Sequence, residues 1–271
     1  MLEAIAMLSG VFLVAFMFAP IGMGGGMLFV PLLHYLAGWP IDGTLLAVSL
    51  SLTWAVSIGS GLRHRKEGYH HPEATASVLY GAVLGALLGV GIVNALGDGL
   101  DTAFKLLSIV MLIWALVRTW NRQRDSSSKE GTDENTQQVI RHVPLRIGGG
   151  VGGALSSVLG IGAGVIYVPV LQQQAGLGPR MAVGSSLSIM MIVVPVAILA
   201  LLTTDPRGLF GGLFEVPWWV VFLPVLAYAG ATMGARFGIE NISRENIMNI
   251  FMVMVAVVLV RYAVDVASIM M

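Results

Sequence analysis

Apolar residues fill eight long stretches of the chain, roughly 4–37, 44–62, 74–96, 102–120, 146–175, 181–203, 216–238 and 246–264. A helix crossing a membrane needs about 20 consecutive apolar residues, so six of the eight fit one crossing each. The stretches 4–37 and 146–175 are too long for a simple crossing, and glycines interrupt both. Each predicts a tilted broken helix or a re-entrant hairpin. The predicted fold is an all-α polytopic membrane protein.

The longest polar stretch, 121–145, is rich in Ser, Gln and charge and reads as a cytoplasmic linker. It divides the chain into membrane halves 1–120 and 146–271. The halves match in order. PIGMGGGMLFVPLL at 20–33 answers LGIGAGVIYVPVL at 159–171, aligning Gly22, Gly24, Gly25, Gly26 and Pro31 with Gly160, Gly162, Ala163, Gly164 and Pro169. Ala47, Val48, Ser51 and Leu52 answer Ala182, Val183, Ser186 and Leu187; Gly85 and Gly89 answer Gly230 and Gly234; Arg118 answers Arg261. This is the pattern of an internal duplication into two four-segment halves.

Basic residues set orientation, because cytoplasmic loops are enriched in Lys and Arg. Arg63, Arg65 and Lys66 share one loop, and Arg122, Arg124, Lys129, Arg141 and Arg146 lie in or beside the linker. Single crossings in the glycine-broken segments would make the halves parallel repeats with both termini inside. Re-entrant segments would make them inverted repeats with both termini outside. The inverted case places Arg180, Arg236 and Arg244 inside and leaves Lys105, Arg207 and Arg261 outside, a slightly better charge split, and it suits alternating access.

Composition narrows the chemistry. Charged residues make up 11% of the 271, against about 25% in a soluble domain, and mean hydropathy is +0.83. Formal net charge is zero, which gives no case for nucleic-acid binding, and the absence of cysteine excludes disulfides and thiolate metal centres. The start, with Glu3 and no basic run, does not read as a cleaved signal peptide. All fifteen acidic residues fall in loops or at segment ends. Cation-coupled carriers commonly keep a carboxylate within a span, so the pattern favours an anion or a neutral solute. No span carries a carboxylate pair, a haem-ligand pair or a Ser/His/Asp set; neither an enzyme nor a cofactor site is expected.

An anion can be held without a full positive charge, because helix N-termini present free N–H groups and partial positive charge. The glycine breaks predict new half-helices beginning near Met27 and Val165. Paired broken segments in two halves point to a transporter's binding site, although glycine also serves close helix packing. The candidate substrate-binding set is Gly22, Gly24, Gly25, Gly26, His34 and Ser51 with Gly160, Gly162, Ala163, Gly164, Gln172 and Ser186. Further hydroxyls at Ser49, Thr53, Ser185 and Ser188 would add donors. His34 and Gln172 occupy matching positions after the two prolines, and His34 suits either proton coupling or helix-end capping. Gly85-x-x-x-Gly89 and Gly230-x-x-x-Gly234 read as packing motifs.

The glycine break followed by V-P-x-L, repeated in both halves and followed by A-V-x-x-S-L, resembles the sulfite exporter TauE/SafE family, also described as sulfite and organosulfonate permeases. The resemblance covers nearly the whole chain outside the linker. It implies a carrier in the bacterial cytoplasmic membrane that moves a small sulfur-containing anion, with the lipid bilayer and that anion as its partners. An anion channel, or a carrier for a non-sulfur solute, is the alternative.

Overall fold

The computed structural model describes residues 2–19, 26–126, 140–208, 210–240 and 244–270. The described residues form ten α-helices. In the first half these are α1 (Leu2–Phe18), α2 (Gly26–Ala37), α3 (Gly43–Lys66), α4 (Pro72–Leu96) and α5 (Leu100–Ser126). In the second they are α6 (His142–Leu159), α7 (Gly164–Gln174), α8 (Pro179–Thr203), α9 (Leu223–Glu240) and α10 (Arg244–Met270). Among the described residues, four stretches are long and apolar enough to cross a membrane: Gly43–Lys66, Pro72–Val117, Pro179–Thr203 and Trp218–Arg236. The second of these holds both α4 and α5, divided by a tight turn at Gly97–Gly99. Tyr80, Leu84 and Leu88 of α4, Val110 of α5 and Val253, Val257 and Val260 of α10 are each more than 60% exposed. Apolar surface of that extent suits lipid contact.

Both long glycine-broken stretches double back. The Arg141 N–H, at the start of α6, donates to the Gln174 carbonyl at the end of α7, at 3.2 Å. A bond between those two ends requires a hairpin, not a kinked straight helix. Gly148 of α6 faces Val170 of α7, and Gly10 of α1 faces Leu32 of α2 in the same way. These are matching positions of the two sequence repeats.

The remaining packing is paired likewise. In α4, Gly81, Gly85 and Gly89 lie against the backbone of α6 at Arg146, Gly150 and Ala154. Gly230 and Gly234 of α9 lie against Phe12 and Phe16 of α1. In both pairs numbers rise together, so the helices run parallel. Only glycine lets helix backbones approach so closely, which is the role the small-xxx-small spacing predicts. α3 and α8 run antiparallel: Thr44 lies beside Asp205, Trp54 donates to the Met191 carbonyl, and the His71 N–H, just beyond α3, donates to Ser185.

One end of the bundle gathers the α2–α3 and α8–α9 connections. Here Arg207 donates to Asp205, Glu215, Asp42 and Thr44, joining the two halves, while Asp42 also caps α3 through the Leu45 N–H. The Arg207 guanidinium holds the Asp205 carboxyl down at about 2, and Arg207 is itself pushed above its ordinary value by Asp205. A lowered carboxyl stabilises the fold above its unfolded value near ~3.9 and ceases to as pH falls through the folded value. Asp205→Asn should therefore lower the thermal midpoint by a constant amount from pH 8 to about 5, a gap that closes only below about 4; melting curves across pH check this.

Candidate functional site

The second half-helix, α7, begins because the chain before it cannot stay helical. Gly160 ends α6 with φ 59 and ψ 24, and its N–H returns to the Ser156 carbonyl. Ala163 then opens α7 with φ 49 and ψ 14. Left-handed backbone is cheap for glycine and costs an L-residue about 1–2 kcal/mol. Ala163→Gly should accordingly raise thermal stability, by about 1 kcal/mol at most, and Ala163→Val should lower it; unfolding midpoints of the two variants check both signs. Strain of this kind gathers at functional sites.

Hydrogen bonding across the second break is lopsided. Three of its carbonyls are satisfied: Gly160 accepts from Ser49 at 2.8 Å, Ile161 from the Ser156 hydroxyl, and Ala163 from the Ile166 and Tyr167 N–H groups. The N–H groups of Gly162, Ala163, Gly164 and Val165 have no acceptor among the described residues. Pro31 and Pro169 lie within α2 and α7 and withhold an N–H that would have closed on the first turn of each. The break thus presents four N–H groups with no acceptor among the described residues.

The two breaks meet. A Cβ on Gly26, the first residue of α2, would stand 2.8 Å from Ile161 Cα and 2.9 Å from Gly162 N. The N-termini of α2 and α7 therefore converge on one point. Between them lies a buried polar stripe of α3: Ser49, Thr53, Ser57, Ser60 and His64, none more than 5% exposed. Their spacing of four, four, three and four residues keeps them on one helix face. Ser60 donates to the Ala19 carbonyl beyond α1, Ser57 to the Thr53 carbonyl, and His64 to the Ser60 carbonyl. Thr53 is fully buried, and its hydroxyl has no partner among the described residues. It stands 2.8 Å from the place a Gly26 Cβ would take, and its methyl touches Gly162. A buried hydroxyl without a partner costs about 1–3 kcal/mol, which makes Thr53 a candidate donor at this junction.

Of the candidates named from sequence, Gly26, Gly160, Gly162, Ala163 and Gly164 come together at this junction. Gly22, Gly24 and Gly25 lie outside the described residues. Ser51 donates to the Val48 carbonyl of its own helix at 2.6 Å. Ser186 is fully buried and faces the Met190 sulfur; Met190 in turn touches Gly162. His34 and Gln172 lie eight residues along α2 and α7 from their starts, about 12 Å away at 1.5 Å per residue. The His34 Nδ1–H donates to the Trp39 carbonyl at 2.7 Å, capping the turn after α2. Among the described residues no His, Cys, Asp and Glu cluster could hold a metal ion.

Sequence reasoning named Ser49 and Thr53 of the α3 stripe but passed over Ser57, Ser60 and His64, although their helical spacing was readable. It also passed over a charged group where α5 crosses α10. The Lys105 ammonium, 7% exposed, stands 2.9 Å from Asp101 and 3.6 Å from Asp265; Tyr35 of α2 donates to Asp265 at 2.8 Å.

Neither a curated protein nor a solved structure matches the chain. The family model described as sulfite exporter TauE/SafE matches residues 7–262, nearly the whole chain, in agreement with a multi-pass membrane transporter. The chain belongs to the sulfite exporter TauE/SafE family.

Proposed function

We propose that this protein is a secondary transporter, an exporter, of a small sulfur-containing anion such as sulfite or an organosulfonate. It works in the bacterial cytoplasmic membrane by alternating access, without a cofactor. The observation that carries this reading is the set of donors where the breaks meet: four N–H groups and the Thr53 hydroxyl without a partner among the described residues, beside the N-terminus of α2. Donors without acceptors at paired helix N-termini suit an oxyanion.

The second part of the proposal is an inverted repeat. With two re-entrant hairpins each half crosses three times, so 146–271 sits upside-down relative to 1–120, and 121–145 is cytoplasmic. The antiparallel course of α3 and α8, which occupy matching places in the halves, supports this. So does charge: Lys105, Arg207 and Arg261, the basic residues left outside, each pair with a carboxylate. Rocking of one inverted half against the other would open the junction to each face in turn. Coupling to protons would place His34 at the outer end of α2.

The test is thermal stabilisation of purified protein by sulfite, thiosulfate, sulfate, sulfoacetate, phosphate and chloride, since a ligand that binds the folded state raises its melting point. One sulfur anion should stabilise selectively. Thr53→Val keeps the shape and removes the hydroxyl; it should weaken that anion about tenfold, the worth of one good hydrogen bond. No shift with any anion, in folded protein, would refute the reading.

A further inference from the structure

Where α4 crosses α6, toward the starts of both helices, an open groove of about 390 Å³ lies on the bundle surface. Tyr80, Gly81 and Leu84 of α4 and Arg146 of α6 line it. Gly81 brings the two backbones into contact there, since a Cβ on it would overlap the Arg146 carbonyl. The Arg146 guanidinium lies over the Tyr80 ring, 5.7 Å from its centroid. Among the described residues Arg146 has no carboxylate partner. The acidic residue at that end of α4, Glu73, faces His142 instead, at 3.6 Å. Tyr80, Leu84 and Leu88 are exposed and, spaced by four, share one face of α4. α6 carries its own exposed stripe at Val143, Ile147 and Val151. An unmatched cation thus stands at one end of a strip of apolar surface.

The duplication shows that helix packing does not need this pair. α1 and α9 make the corresponding crossing: Gly230 meets Phe12 as Gly85 meets Gly150, and Gly234 meets Phe16 as Gly89 meets Ala154. Carried toward the helix starts by the same offsets, Arg146 and Tyr80 correspond to Leu8 and Val225. Two apolar residues serve that crossing, so the arginine and tyrosine answer to something outside the helix pair. In the topology proposed above the two crossings start on opposite faces of the membrane. The charged one starts on the linker side, with Arg63, Arg65 and Lys66.

We propose that the groove between α4 and α6 binds an anionic phospholipid of the inner leaflet. The headgroup phosphate accepts from the Arg146 guanidinium and the Tyr80 hydroxyl, and an acyl chain lies along Leu84 and Leu88. A charge-assisted bond of this kind is stronger than a neutral one. A zwitterionic lipid brings an ammonium that offsets the attraction; a net-negative headgroup does not, and basic pockets between helices on this side of a membrane select such lipids. Because α4 belongs to the first half and α6 to the second, the bound lipid touches both and tightens their contact. The inference uses the sidedness proposed above and is independent of the transported anion.

The experiment measures lipid binding to the detergent-purified full chain by native mass spectrometry and by melting point. The probes are phosphatidylglycerol and phosphatidylcholine with identical acyl chains. Wild-type protein should retain phosphatidylglycerol preferentially and melt higher with it. Arg146→Gln should keep the lipid-free melting point and weaken phosphatidylglycerol about tenfold, the worth of one hydrogen bond to a charged group. Leu84→Glu, which sets a carboxylate beside Arg146, should weaken it likewise. Arg180→Gln is the control and should bind as the wild type does: Arg180 lies over Tyr69 in the same manner, and its loss changes net charge equally. Equal affinity for the two lipids, unchanged binding in Arg146→Gln and Leu84→Glu, or equal weakening in Arg180→Gln would overturn the site. So would a wild-type dimer that Arg146→Gln disperses, which would assign the groove to a second copy of the chain. None of these readouts involves the transported anion, so the carrier reading stands or falls separately.

Discussion

Gly26→Ala is expected to cut anion transport about a hundredfold, the scale on which an ångström of misplacement is felt at a functional site. The added Cβ would stand 2.8 Å from Ile161 Cα and 2.9 Å from Gly162 N. Both are backbone atoms, so no rotamer change relieves the contact, and the breaks must part. The same Cβ would stand 2.8 Å from the Thr53 hydroxyl and take space from any oxygen bound there. The packing cost is about 1–3 kcal/mol, too little to prevent insertion of helices whose hydrophobicity is unchanged. Gly43→Ala is the control, because a Cβ there meets nothing within 4 Å. Transport per reconstituted molecule, measured with the melting point, checks the prediction. Normal flux in Gly26→Ala would mean that the breaks need not meet for transport.

Gly85→Val should have the largest effect on stability. Any Cβ at Gly85 overlaps the Gly150 carbonyl, with its carbon at 2.7 Å and Cα at 2.8 Å. Ser157 of α6 also donates to the Ala86 carbonyl beside it. Separating α4 from α6 opens one of the main packings between the halves, so the cost should exceed about 4 kcal/mol, and folded protein should be lost. Gly91→Val lies on the same helix where a Cβ meets nothing within 4 Å, and it should change stability by less than about 0.5 kcal/mol. Yield of monodisperse protein and its melting point distinguish the two. Equal behaviour would remove the α4–α6 contact as the join between halves.

Periodicity and glycine carried much of this fold. The stretch 146–175 became α6 and α7, and the half-helices expected near Met27 and Val165 begin one residue earlier, at Gly26 and Gly164. The stretch 216–238 starts as a 3-10 turn at Trp218–Phe222, and Pro224, in the first turn of α9, lacks the N–H that would bond back to the Val220 carbonyl. What sequence left open was rotation and pairing. Ser51 was chosen because it matches Ser186, yet two residues turn a helix by about 200°, and Thr53, not Ser51, faces the junction. The Lys105–Asp265 pair depends on how α5 lies along α10, which no local pattern records. That the N–H groups at 162–165 find no acceptor among the described residues depends on the backbone angles of Gly160 and Ala163, for which glycine was only a hint.

The most direct measurement of the central claim is counterflow of radiolabelled sulfite in proteoliposomes preloaded with unlabelled sulfite, for the wild type and Gly26→Ala. A carrier with its site at the breaks should show transient accumulation of label in the wild type and almost none in Gly26→Ala. Label that only equilibrates without overshoot, or equal overshoot in both proteins, would contradict a carrier that holds its anion where the two breaks meet.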